Sequence, residues 1–298
     1  MATHDVGSWE GEGPVPRDVL MGQVVAVDGL LTMITEQVDA ALLDRAPSLT
    51  VVSQMAVGVD NIDVDQCTAR GIAVGHTPGV LTETVADTAF ALLSSIVRRL
   101  PEGQQAVKDG LWGPWDPFWM TGSDLAGTTI GIVGMGRIGR AVARRAAGFG
   151  MRILFNTSSP RREELGEFCS LEELLESSDH VVVCVSLTDQ TVGLIGTREL
   201  ELMKDTAFLV NVSRGPVVDT DAVVDALGRE LVAGVALDVT EPEPLPPNHP
   251  LLGFSNCLVV PHIGSASKRT REAMAELAIS NLLAGIEGRP LPARVVVS

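Results

Sequence analysis

The sequence has no tyrosine, and aromatic residues make up only 4% of it. A core of stacked rings is excluded, so Val, Leu, Ala and Ile must fill the interior. Cysteine is also sparse. Cys67, Cys169, Cys184 and Cys257 form no C-x-x-C pair and no His-spaced metal pattern, so no metal site is expected. Basic residues are few: 22 Lys and Arg stand against 38 Asp and Glu, a net charge of −16. Such a surface repels phosphate backbones and argues against a nucleic acid partner. The N-terminus has no basic segment followed by an apolar one, and no apolar run approaches the length of a membrane span. No membrane partner is expected, and a reducing cytoplasm is the expected compartment.

What the chain does have is length and apolar content. Its 298 residues are 45% hydrophobic, enough for two modest domains with cores of their own. From about residue 130 to 260, short β-branched runs alternate with helical patterns. "TIGIVG", "MRILFN", "HVVVCVSL", "TAFLVNVS", "VAGVALDV" and "CLVVPH" read as strands. Strands buried on both faces and separated by helices predict a doubly wound parallel α/β sheet of the Rossmann type. The first third repeats the alternation on a smaller scale, with strands in "GQVVAVDGL", "LTVVSQMA" and "GIAVG". The expected division is a smaller α/β domain over 1–74, completed by a C-terminal helix within 267–298, and a dinucleotide-binding domain over 75–266. "TETVADTAFALLSSIVRRL" would be a long helix between them. Residues 111–122, "LWGPWDPFWMTG", hold three of the four tryptophans and break the pattern.

The chemistry begins at "GIVGMGRIG". Gly134, Gly136 and Gly139 fit G-x-G-x-x-G directly after a strand and at the start of a helix. The first permits a tight turn, the second lets backbone approach a pyrophosphate, and the third allows close packing. Three later strand ends carry Arg214 in "NVSRG", Asp238 and Glu243 in "LDVTEPEP", and His262 and Ser265 in "PHIGSAS". Alone, each is an ordinary surface group. Together, beside a dinucleotide turn, they describe one reaction. Hydride passes to a carbonyl carbon, an imidazolium protonates the oxygen, and a carboxylate beside the imidazole favours its charged form. A guanidinium fork holds the carboxylate of a 2-oxo acid.

These residues, with "MAVGVDNID", "VGHTPGVLTETVADTAFALL", "NVSRGPVVD" and "LDVTEPEPLPPNHPLL", resemble the D-2-hydroxyacid dehydrogenases over nearly the whole chain. Within that family the resemblance runs to the glyoxylate/hydroxypyruvate reductases. It implies Arg214, Glu243 and His262 as the catalytic set. It also implies Val57 and Gly58 as backbone donors to the substrate carboxylate, Ser265 beside the substrate, and Asp238 at the nicotinamide amide. Arg137, Ile138, Ser186 and Val212 complete the expected dinucleotide contacts. The aromatic arm, near 98–126, resembles the segment that family dimers exchange, with Trp115 reaching the neighbour's site, so a homodimer is expected. Family members begin with a strand and a helix before the part that "SWEGEGPVPRD" resembles. The smaller domain, flavodoxin-like in the family, is therefore expected to lack its first strand–helix unit.

The stretch "LFNTSSPRR", Leu154 to Arg162, bears on the cofactor. NAD-preferring folds end their second strand with an acid that binds the ribose hydroxyls. Asn156 stands in that place, followed by Ser158, Ser159 and Arg161. No carboxylate repels a 2′-phosphate there, and the hydroxyls and guanidinium can donate to it. NADP(H) is the expected cofactor, with NAD(H) as the alternative. Another 2-oxo acid, or a dinucleotide-sensing corepressor, remain open as alternative readings.

Overall fold

The computed structural model describes residues 4–159 and 162–296. The chain folds into two compact units, Met1–Leu81 with Ser267–Ser298, and Thr82–Ala266.

The first unit contains α1 (Arg17–Gln23), β1 (Gly29–Thr32), α2 (Ala40–Asp44), β2 (Val51–Gln54), α3 (Val64–Ala69), β3 (Ala73–Gly75) and the closing helix Lys268–Ile286. The strands form a parallel sheet in the order β1-β2-β3. The two shortest helices are started by aspartates. Asp39 accepts from Leu42 N and Asp63 from Gln66 N, both at 2.9 Å. Val24, Val38, Leu42, Val52, Cys67 and Val74 are part of the core. The closing helix is locked to β2 by Ser53 Oγ donating to Ala278 O at 2.7 Å. Asn281, fully buried, donates to His76 O and accepts from Ala293 N.

Two features differ from the sequence expectation. "GQVVAVDGL" is not one strand: Gly22 and Gln23 end α1, Val24–Ala26 form a 3-10 turn, and the strand begins at Gly29. Leu20 and Val24, four residues apart, are buried together, and this i, i+4 packing overrides the β-branched preference. Residues 75–81 fall in the first unit, because Gly75 closes β3 while His76 N and Thr77 N bond to Ala293 O and Ala56 O.

The second unit is built on seven parallel strands: β4 (Thr129–Val133), β5 (Arg152–Asn156), β6 (Glu167–Phe168), β7 (His180–Val183), β8 (Phe208–Asn211), β9 (Gly234–Leu237) and β10 (Cys257–Val259). Their order is β10-β9-β8-β7-β4-β5-β6. Every residue of β7, β8 and β9 is buried, which is why these strands read as unbroken apolar runs. The helices are α4 (Thr82–Val97), α5 (Leu100–Lys108), α6 (Arg137–Gly148), α7 (Leu171–Ser177), α8 (Thr197–Leu202) and α9 (Thr220–Gly228). Helix α4 buries one stripe, including Val85, Ala89, Leu93 and Ile96. Because all seven strands are parallel, their carboxyl ends share one edge of the sheet. The strand order reverses between β4 and β7, which makes the crevice beyond those ends the expected ligand site.

Candidate active site

The turn after β4 gives each glycine of the motif a separate task. Gly134 has φ +98°, and a Cβ there would meet Val185 N at 2.8 Å. A Cβ on Gly139 would strike Gly134 O at 2.1 Å, so the helix could not sit on the turn. A Cβ on Gly136 would meet nothing within 4 Å, and Gly136 caps α6 without a side-chain hydrogen bond. The first turn of α6, Arg137 exposed and Ile138 half-buried, therefore offers backbone N–H groups to open space. This cradle fits a dinucleotide pyrophosphate.

At the end of β5, Asn156 is half-buried, and its Nδ2 donates to Cys169 O at 2.9 Å. Ser158 and Ser159 follow, both exposed. Arg161 lies outside the described residues. The loop is tethered farther on, where Arg140 of α6 forks onto Glu163 with Nη2 2.6 Å and Nε 3.0 Å from Oε1. Ser186 is exposed beyond β7, and buried Val212 follows β8, its N–H donating to Val183 O. Cys184, just past β7, is pushed up to about 12 by burial and stays a thiol.

The next three strand ends carry the charged set. Asn211, fully buried at the end of β8, organises "NVSRG". Its Oδ1 accepts from Ser213 N and Ser213 Oγ, and its Nδ2 donates to Arg214 O at 3.0 Å. Gly215 follows because its backbone passes the β9 loop so closely that a Cβ would sit 1.9 Å from Thr240 O. These two contacts fix the backbone on either side of the Arg214 guanidinium's root.

His262 Nδ1 lies 2.6 Å from Glu243 Oε1, which leaves Nε2 free of that pair. Burial alone would push the Glu243 carboxyl up. The hydrogen bond and charge of His262, with Thr240 N and the Arg214 charge, outweigh burial and hold it below the ordinary carboxylate range. Glu243 is therefore an anion at neutral pH, aimed at the imidazole. His262 has φ +51°, a left-handed backbone that is costly for a residue with a side chain. Asp238, 3% exposed, supports it. Its main-chain O accepts from His262 N at 2.9 Å, Oδ1 accepts from Ile263 N at 2.7 Å, and Oδ2 accepts from Gly264 N at 2.9 Å. Burial raises the Asp238 pKa despite those two amides and the His262 charge. Ser265 follows, half-buried.

The structure thus brings Arg214, Asp238, Glu243 and His262 to neighbouring strand ends. Val57 and Gly58 belong to the first unit, in the turn after β2. Their carbonyls accept from His76 Nδ1 at 2.9 Å and Gln54 Nε2 at 3.4 Å. Trp115 is 87% exposed, with Phe118 at 83% and Trp112 at 70%. Sequence reasoning missed Asn211 and the scaffolding use of Asp238. An Asn at a strand end with Ser two residues later is an Asx-turn signal that could have found the first.

Among the described residues, no group of three His, Cys, Asp or Glu is placed to hold a metal, and no helix is long and apolar enough to cross a membrane. Residues 90–264 match the model of the D-isomer specific 2-hydroxyacid dehydrogenase NAD-binding domain. The chain is 46% identical over 297 residues to human glyoxylate reductase/hydroxypyruvate reductase, covering 98% of this chain and 90% of the relative. It is 50% identical over 289 residues to the glyoxylate reductase of Korarchaeum cryptofilum, covering 95% and 87%. Among solved structures it resembles an NADPH-dependent glyoxylate/hydroxypyruvate reductase from Sinorhizobium meliloti in complex with NADP and malonate. The TM-score is 0.84 at 37% identity, covering 95% of this chain and 86% of that one. A D-lactate dehydrogenase from Aquifex aeolicus complexed with NAD and lactic acid gives a TM-score of 0.85 at 29% identity, covering 95% and 90%.

Proposed function

This chain belongs to the D-isomer specific 2-hydroxyacid dehydrogenases, NAD(P)-dependent oxidoreductases, and on that premise we propose that it reduces glyoxylate and hydroxypyruvate, with NADPH as the preferred reductant. The observation that carries the reading is the 2.6 Å pair of His262 and Glu243 beside Arg214. The dinucleotide, when bound, supplies a hydride to the carbonyl carbon. The chain's own residues supply the rest. His262, as imidazolium, gives its Nε2 proton to the carbonyl oxygen as that oxygen gains charge. Glu243 stabilises the imidazolium and fixes the ring so that Nδ1 faces away from substrate. Arg214 receives the substrate carboxylate as a fork and aligns the carbonyl. The Ser265 hydroxyl is assigned to the same substrate, and the N–H groups of Val57 and Gly58 keep the carboxylate-binding role that the family resemblance implies. Asp238 is assigned to the nicotinamide amide as well as to the His262 loop.

The preference for NADPH is supported by the exposed hydroxyls of Ser158 and Ser159 and by the absence of an acid at Asn156. The relative from Sinorhizobium meliloti was solved with NADP. The one from Aquifex aeolicus was solved with NAD, so NADH is the competing cofactor. A homodimer joined through the arm near 98–126 is supported by the exposure of Trp112, Trp115 and Phe118, which an interface would cover. A cytoplasmic setting is supported by four unpaired cysteines. The test is a panel of 2-oxo acids assayed with NADPH and with NADH. Fast reduction of glyoxylate and hydroxypyruvate, better with NADPH, is the expected result. No turnover of any 2-oxo acid would overturn the reading.

A further inference from the structure

Helix α4 makes a contact with the proton-donor loop that the reaction scheme above does not use. Thr88, half-buried, places Oγ1 3.1 Å from Gly264 O and 3.1 Å from Thr84 O. A threonine inside a helix ordinarily returns its hydroxyl hydrogen to the carbonyl four residues back. Here the same hydrogen has a second acceptor, on a different segment and two residues from His262.

The loop's side-chain partners other than Thr88 come from one side. Asp238 takes the N–H groups of His262, Ile263 and Gly264, and Glu243 takes His262 Nδ1, all from the segment that follows β9. These bonds draw the loop toward the sheet by its N–H groups; on its carbonyl side Ala266 N donates to Ile263 O at 2.8 Å, within the loop itself, and Thr88 reaches Gly264 O from outside it. Gly264 is buried, and a Cβ there would meet Asp238 Oδ2 at 2.5 Å, so the loop packs without slack on the Asp238 side. Thr88 acts from the helix. A left-handed residue such as His262 keeps its backbone only when its surroundings over-determine it.

We propose that Thr88 is a positioning residue for proton transfer: its hydroxyl, donated to Gly264 O, sets the tilt of the 262–265 loop and so the direction of His262 Nε2. The inference rests on His262 as the proton donor. Thr88→Val keeps the shape and removes the hydroxyl, and Thr88→Ser keeps the hydroxyl. In Thr88→Val, kcat for glyoxylate reduction falls by about fivefold to twentyfold, because small misplacements of a reacting group are costly. Amide hydrogen exchange over 261–266 becomes faster, and NADPH affinity by fluorescence titration stays unchanged. Thr88→Ser restores both kcat and exchange. Should Thr88→Val not fold, Thr88→Ala carries the same readouts. Wild-type kcat and exchange in the hydroxyl-free variant overturn the proposal, since the hydroxyl then serves Thr84 O alone. So does a Thr88→Ser variant as impaired as Thr88→Val, or a loss of kcat without faster exchange at 261–266. His262→Ala is the control: if it turns over normally, the proton-donor reading fails. If it is inactive while Thr88→Val is normal, only the positioning role fails.

Discussion

The His262 loop and the loop after β5 leave the same edge of the same sheet, yet they are built in opposite ways. The first is held by Asp238 at each residue from His262 to Gly264, with a buried carboxylate, a left-handed histidine and a glycine that admits no Cβ. The second presents exposed Ser158 and Ser159 and is tied down at its margins, by Asn156 to Cys169 O and by Arg140 to Glu163. The difference follows from the work assigned to each. Proton transfer demands one geometry, because a donor misplaced by a fraction of a bond length loses rate. Holding a ribose or its phosphate demands charge and donors, which several arrangements of a polar loop can supply. Substitutions in the first loop should therefore change turnover, and substitutions in the second should change the ratio between two cofactors.

After the loss of His262 itself, the largest expected effect is at the substrate fork beside it. Arg214→Lys keeps the charge and loses the fork. It should lower kcat/KM for glyoxylate by about tenfold to hundredfold, the worth of a charged hydrogen bond, and leave the NADPH-to-NADH ratio unchanged. Steady-state kinetics with both cofactors check it, and a wild-type kcat/KM would remove Arg214 from the substrate carboxylate. At the open end, Asn156→Asp should shift the ratio of kcat/KM for NADPH over NADH toward NADH by about tenfold, through repulsion of the 2′-phosphate. The same change removes the donor to Cys169 O, so a small drop in melting temperature should accompany it. An unmoved ratio would make the serine stretch an ordinary polar loop.

The smallest effect lies at the opposite end of the sheet and separates stability from chemistry. His180, 2% exposed, begins β7 with its ring on that of Phe208, centroids 5.9 Å apart. Among the described residues neither ring nitrogen has a hydrogen-bond partner that meets distance and angle, though the Asp124 backbone favours the charged ring. Burial lowers its pKa below 6.5, against the charge of Asp179, while Lys204 adds to the lowering. The unfolded chain then takes up the proton first. Stability is unaffected above about pH 6.5 and is lost as pH falls below it toward the folded value. His180→Leu should lack that slope, so its melting temperature should fall less than that of wild type between pH 7.5 and 5.5. Equal falls in the two proteins would place the acid sensitivity elsewhere.

Much of this was legible in the sequence, for identifiable reasons. Strands β7, β8 and β9 announced themselves because burial on both faces favours apolar residues, with His180 and Asn211 as buried polar exceptions at the ends of β7 and β8. "GIVGMGRIG" was readable because Gly134 and Gly139 have steric tasks and Gly136 leaves open the space before α6. That Arg214, Glu243 and His262 lie near one another was legible because parallel strands place neighbouring strand ends side by side. The two-residue strand β6 carries no period to detect. Helix α1 was hidden because its β-branched continuation mimics a strand. Thr88 and Asp238 were illegible in their supporting roles because the hydrogen bonds from Thr88 to Gly264 O and from Ile263 N to Asp238 join segments 176 and 25 residues apart. Only the folded chain brings such pairs together.

The central claim is that His262, oriented by Glu243, delivers the proton. It is tested most directly by single-turnover reduction of glyoxylate in His262→Ala with NADPH already shown to be bound by fluorescence titration. The account predicts unchanged NADPH affinity and a reduction rate lower by about 10²–10⁴. A rate near that of wild type, at equal cofactor occupancy, would contradict it.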